Sequence, residues 1–314
     1  MKSEQIKFIW KKLSKISGNI LVAASIFFLI RKAYMMGIDY REYFNIVNIV
    51  NMIPVLLIFV ILMIVQFYPW RSIIYSMTGV RLSKMTVSRV FLKAALMKYI
   101  PGNVFQYVGR AGLVSENEAL NVTNILASVA VETAALFVAV VLNGVIGVQD
   151  YTLNLFKNSM FIVSIAVSVL VAVCIVVFLF RDRIDRLLKK KHINITFRLA
   201  GAFLFSVLFF AVTLAIQGGL LTALISIFSQ KQCLNFYSTV NGAYAIGWVA
   251  GYITPGASGG IGIREAVLCM LLDDTVAADL IIVSTLAFRL INIVADFMAF
   301  GCLELIYLIK TKHE

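Results

Sequence analysis

Residues 253–265 read "ITPGASGGIGIRE", and residues 99–110 read "YIPGNVFQYVGR". In each, a Pro-Gly pair interrupts an apolar stretch, and an arginine follows nine residues after the proline: Arg264 after Pro255, Arg110 after Pro101. The copies stand 154 residues apart in a chain of 314. Proline removes a backbone donor and glycine permits turns that other residues resist, so a helix cannot run smoothly through either pair. Lipid offers no hydrogen bonds to a broken backbone, and such a break at membrane depth survives only inside protein or beside a wet cavity. Whether these breaks lie in a membrane therefore decides the fold.

Composition places them there. Hydrophobic residues make up 61% of the chain and charged residues 14%, with a mean hydropathy of +0.92. Runs at 46–68, 120–148, 160–180, 199–228 and 279–309 exceed the roughly 20 residues that cross a hydrocarbon core. A sixth at 18–36 is interrupted by Arg31 and Lys32, which snorkel or mark its end. The expected class is an all-α, multi-pass membrane protein. Its net charge of +12 is read as topology, without nucleic acid as a partner. Lys and Arg concentrate at 2–17, 69–98, 181–198 and 310–312, and short basic loops stay cytoplasmic. The basic start is read as preceding an uncleaved span, because no small-x-small cleavage site follows. Cys174, Cys233, Cys269 and Cys302 have no metal-ligand spacing, and the two histidines, His192 and His313, fall in a basic loop and the tail. No cofactor or metal is expected.

Threading the spans with the basic patches inside leaves segment 94–118 with both ends cytoplasmic and segment 236–274 with both ends outside. Neither can be a single crossing. Each is expected to be a re-entrant helical hairpin turning at its Pro-Gly pair. About six spans and two hairpins then form an inverted-topology repeat, 1–158 and 159–314, with both termini cytoplasmic in the cell membrane. Residues 69–80 are expected to be loop; 81–93 is read either as an interfacial helix or as solvated loop charge. Gly242, Gly247 and Gly251 are assigned to close helix packing.

A helix restarting near Ile263 would turn its first N–H groups toward the break, where they attract anions. Arg264 adds a full charge there. The candidate substrate-binding residues around the breaks are Pro101, Gly102, Asn103, Gln106 and Arg110, then Pro255, Gly256, Ser258, Gly259, Gly260, Gly262, Arg264 and Glu265. Inside the spans, Glu132 shares a helical face with Asn121, Asn124 and Ser128; Arg289 and Asp296 share one with Thr285 and Asn292. Ionisable groups within a span are costly and turn toward a partner or water. Pairs of Glu132 with Arg110 or Arg289, and of Asp296 with Arg264 or Arg289, are expected. They either bind substrate or lock the repeats together.

At "KYIPGNVFQYVGR" and "YITPGASGGIGIREAVL" the chain resembles the transmembrane region of the lysylphosphatidylglycerol synthase/flippase family, whose signature is Pro-Gly-x-x-Gly-Gly-x-Gly-x-Arg-Glu. The resemblance covers nearly the whole chain. It implies a membrane domain with re-entrant helices that moves lipids with charged head groups between leaflets. By motif match it points to Pro255, Gly256, Gly259, Gly260, Gly262, Arg264 and Glu265, and more loosely to Pro101, Gly102 and Arg110. Bifunctional members carry a soluble aminoacyl-transferase domain after the membrane region; here the sequence stops at Glu314, so lipid synthesis is not implied. Stand-alone relatives are associated with envelope polysaccharide or glycolipid pathways.

The resulting expectation is a non-enzymatic lipid translocase for a phosphate-bearing phospholipid, aminoacyl-lipid or glycolipid. The alternatives are a transporter of small soluble anions, an intramembrane enzyme using a lipid-phosphate donor, and an accessory subunit of an envelope-polymer pathway. Its partners are an anionic or phosphate-bearing lipid and the bilayer, with a homo-oligomer or envelope-biosynthesis proteins left open.

Overall fold

Asn45 starts the first long helix: its side chain accepts the Asn48 backbone N–H at 2.8 Å, which caps an otherwise unsatisfied donor. The computed structural model describes residues 40–99, 106, 109–112, 120–148, 197–253, 263–272 and 275–313. Among these residues all regular structure is helical. The elements are α1 (Tyr40–Tyr43), α2 (Ile46–Val65), α3 (Phe67–Thr78), α4 (Lys84–Leu96), α5 (Val122–Val148), α6 (Phe197–Ser229), α7 (Tyr237–Ile253), α8 (Ile263–Leu272) and α9 (Ala278–His313). The expected spans 18–36 and 160–180, the Pro101-Gly102 turn and the 254–262 segment lie outside the described residues.

Among the described residues, four helical stretches are long and apolar enough to cross a membrane: Ile46–Thr78, Val122–Gly147, Phe197–Ser229 and Ala278–Thr311. Their outward faces are as apolar as their inward ones. Ile46, Val47, Leu204, Leu208, Phe297 and Ile309 are all exposed, a distribution that water would penalise and lipid does not. The protein is a helical membrane protein.

The first of these stretches runs past its expected end. Residues 69–80 are not a loop: α3 carries the helical direction on to Thr78, and Trp70, Ile73, Ile74 and Met77 are buried. Pro69 and Arg71 do not interrupt it. Pro69 sits in the first turn of α3, where its missing N–H costs nothing. Arg71 keeps its charge near the bundle end by donating from Nε to the Leu82 carbonyl at 3.0 Å. The stop comes at Gly79, whose left-handed backbone (φ 73°) caps α3. Ser83 then caps α4, accepting the Thr86 N–H at 3.0 Å, so helix follows over much of the expected interfacial segment.

The long helices run in two opposed directions. At one end of the bundle, Tyr43 donates to the Asp279 carboxylate at 2.8 Å, and Phe228 packs edge-on against Tyr43. Burial first, then that carboxylate, push the Tyr43 phenol up to about 12. At the other end, Ile73 and Met77 of α3 meet Ala202 and Leu199 of α6 and Ala127 of α5. Arg89 of α4 makes a paired contact there with Glu304 of α9, both bonds 2.9 Å. Thus α2–α3 and α9 run one way, α5 and α6 the other. Central to the packing is α6, which touches α2, α3, α5, α7 and α9.

Glycine sets the closest approach. A Cβ at Gly147 of α5 would lie 2.4 Å from the Gly242 backbone on α7. Gly247 lies against the Arg264 carbonyl of α8, and Gly251 is buried, consistent with the packing role expected for all three α7 glycines. Asn241 donates to Asn143 at 3.0 Å across the same α5–α7 seam.

Candidate functional site: a charged cluster in the bundle interior

The charged side chains expected inside the bundle are inside it. Arg110, Glu132, Glu265 and Asp296 are buried, and Arg289 is nearly so. Arg289 stands eleven residues into α9, about 16 Å along its axis, and Asp296 about 27 Å. Both are therefore well away from either helix end.

Residues 109–112 are helical, and they return close to the segment they follow. A Cβ on Gly109 would meet the Met97 sulfur at 2.3 Å. This approach carries Arg110 to Glu132 of α5, with which it forms a buried ion pair. The guanidinium carbon also lies 4.2 Å from the Phe91 ring centre and 5.1 Å from that of Trp70. Trp70 is held in turn by Ser128, which accepts its indole N–H at 3.0 Å. Of the two partners expected for Glu132, Arg110 is the one realised.

On α9, Asp296 Oδ2 lies 2.5 Å from Lys98 Nζ, a partner not expected from the sequence. Arg289 meets Glu265, Nε to Oε1 at 2.5 Å. Arg289 and Asp296 are seven residues, two turns, apart, so α9 presents them at different depths. The first faces α8 and the second faces the chain just before the first Pro-Gly. Lys98 also approaches Asn292 Oδ1 at 3.5 Å, which satisfies the polar face recognised on α9. Lys98 closes the basic stretch 69–98 and stands three residues before Pro101.

Arg264 differs from its neighbours. Among the described residues it forms no salt bridge, and its Nε is buried without a hydrogen-bond partner. Its guanidinium carbon is 5.6 Å from the Trp248 ring centre. Trp248 stacks on Tyr252 at 5.1 Å, and Phe137 of α5 meets Tyr252 edge-on at 5.1 Å. An aromatic column thus backs the arginine from α7 across to α5. A ring face attracts a cation without occupying its N–H donors, and guanidinium presents those donors in a planar fork suited to phosphate or carboxylate. The ring contact at Arg264 thus leaves its Nε donor without a partner among the described residues.

Gln106 is helical and half-buried. Pro101, Gly102, Asn103, Pro255, Gly256, Ser258, Gly259, Gly260 and Gly262 lie outside the described residues. Comparison with protein-family models, curated proteins and solved structures finds no match. The family resemblance rests on the two motifs alone.

Proposed function

We propose that this protein is a lipid translocase that moves a phosphate-bearing lipid between the leaflets of the cell membrane, with both chain termini cytoplasmic. The observation that carries the reading is Arg264: a cation within an apolar bundle, backed by Trp248 and lacking a carboxylate partner among the described residues. Such a charge is costly in a membrane protein unless an anion meets it. A phosphate head group would supply that anion, while the exposed apolar faces leave the acyl chains in lipid. The lipid's passage would be passive, and no catalytic step is invoked.

Several features support two re-entrant hairpins entering from opposite faces. At about 15 Å, ten-residue α8 is too short to cross a hydrocarbon core of about 30 Å, and it packs back along α7. Gly109 likewise lies against Met97. The bases of α4 and α5 sit at the Arg89–Glu304 end of the bundle, whereas α7 and α9 begin near the Tyr43–Asp279 end. A shift of 154 residues carries the helical residues 109–112 onto the start of α8 at Ile263. Movement of one such half against the other would expose Arg264 to each leaflet in turn.

The test is transport by the purified chain in liposomes. Labelled phosphatidylglycerol, a phosphate-free neutral glycolipid and entrapped inorganic phosphate are followed for the parent and for Arg264→Ala. Faster exchange of phosphatidylglycerol than of the neutral lipid is expected, with a loss of about tenfold or more in the variant. Equal rates for the two lipids, or an unaffected variant, would refute the reading. Selective release of entrapped phosphate would replace it with transport of soluble anions.

A further inference from the structure

The chain carries 28 Lys and Arg against 16 Asp and Glu, so even if every acid met one base, a surplus of +12 would face outward to lipid or solvent. Residues 69–98 hold six of these bases and no acid, and the fold sorts them. Arg89 is matched: Glu304 accepts two of its N–H groups at 2.9 Å, while its guanidinium carbon lies 3.5 Å from the Tyr307 ring centre. Lys98 turns inward to Asp296. Arg81, Lys84 and Lys93 stay exposed and enter no salt bridge among the described residues. Two of these three are seated on rings of α3. The Arg81 guanidinium carbon lies 4.9 Å from the Tyr75 ring centre, and its Nη2 donates to the Tyr75 hydroxyl at 3.2 Å. Lys84 Nζ lies 5.9 Å from the Tyr68 ring centre. Tyr68 and Tyr75 are seven residues apart, so they share a face of α3 and stand about 10 Å apart along its axis. Arg198, exposed at the start of α6, brings a further positive charge toward Tyr75.

These rings lie at the level of the lipid head groups. The 33 residues from Ile46 to Thr78 extend about 50 Å, well beyond a hydrocarbon core of about 30 Å. Exposed large apolar side chains along this stretch stop at Ile61, so the part that leaves the core is the part beyond it. Tyrosines and basic residues favour that level. We infer that the α3–α4 corner is a docking surface for anionic phospholipid of the surrounding leaflet: one head-group phosphate meets Arg81 at Tyr75, and a second meets Lys84 at Tyr68. Each ring steadies its cation while leaving N–H donors open. The guanidinium offers phosphate a planar fork, and the Lys84 ammonium reaches the head groups over its apolar stem. Ile61 precedes Tyr68 by seven residues, so one face of the stretch passes from lipid-exposed side chains to the seated cations. The acyl chains of the docked lipids lie along that apolar part. Because charge selects the lipid, docking weakens as salt rises. It is independent of transport through Arg264.

The experiment places the full chain in phosphatidylcholine vesicles and measures, by electron paramagnetic resonance, how strongly it restricts spin-labelled phosphatidylglycerol relative to spin-labelled phosphatidylcholine. At low salt the parent is expected to favour phosphatidylglycerol by about threefold or more. Arg81→Gln with Lys84→Gln is expected to lower that ratio by at least about half. Tyr68→Leu with Tyr75→Leu, which keeps both charges and removes their seats, lowers it as well. Lys231→Gln removes an exposed charge just past the other end of α6 and keeps the parent ratio, as does Arg264→Ala. Equal restriction of the two lipids by the parent would overturn the inference, as would an unchanged ratio in either folded double variant. Loss of the preference when inorganic phosphate replaces chloride at constant ionic strength would also overturn it and assign the corner to a soluble anion. If Arg264→Ala abolishes the preference while the corner variants keep it, the docking surface falls and the translocase reading stands.

Discussion

Two arginines stand at matching positions after two Pro-Gly breaks, yet their surroundings assign them different work. Arg110 has Phe91 and Trp70 against its guanidinium and Glu132 in contact, so its charge is used within the protein. Among the described residues, Arg264 has the aromatic backing without a carboxylate in a salt bridge. Cation–π attraction of about 0.5–2 kcal/mol holds such a group in place while leaving its donors open. Trp248→Leu is therefore expected to raise the half-saturating concentration of phosphatidylglycerol in the liposome assay by about threefold to tenfold, whereas Trp248→Phe, which keeps a ring face, stays near the parent. A fall in maximal rate alone, equal in both variants, would mean that Trp248 only supports the fold. The arginines were legible in the sequence because their spacing repeats. Trp248 was not, since its place beside Arg264 depends on how α7 and α8 pack. The Lys98–Asp296 pair was missed for a similar reason: nothing local distinguishes a lysine that ends a basic stretch from one that enters the bundle.

The elements show why a chain so uniformly apolar still packs in one register. Lipid removes most of the hydrophobic drive between helices, which leaves close contact and interior hydrogen bonds to specify their seams. The α5–α7 seam uses both: Gly147 against Gly242, and Asn241 donating to Asn143. Gly147→Ala would place a methyl group 2.4–2.5 Å from the Gly242 backbone and the Ser238 carbonyl. Because backbone cannot swing aside, the helices must separate, at a cost of about 1–3 kcal/mol. A lower thermal unfolding midpoint in detergent is expected, and a midpoint equal to the parent's would contradict this description of the seam. Helix positions were largely readable from hydropathy; three of the four long apolar stretches end within about three residues of their expected limits. The exception, α3, shows what hydropathy misses. A proline in a first turn and an arginine that snorkels look like a boundary in sequence, while the buried face of Trp70, Ile73 and Met77 continues beneath them.

At the scale of the whole molecule, the account depends on direction. The loop Gly79–Ser83 precedes the first interrupted segment, and residues 230–233 precede the second. The contacts of Ile73 and Met77 with Leu199, and of Tyr43 with Phe228, put these loops at opposite ends of the bundle. Basic-residue placement anticipated that opposition, because charge bias fixes the sidedness of short loops. It could not supply the pairing of Glu265 with Arg289, which arises only when α8 lies against α9. The direct measurement is sided labelling in intact cells of single reporter cysteines, Val80→Cys and Gln232→Cys, in a chain whose native cysteines are replaced. The account predicts that a membrane-impermeant thiol reagent added outside labels Gln232→Cys and reaches Val80→Cys only after permeabilisation. Labelling of both positions from the same side would contradict it.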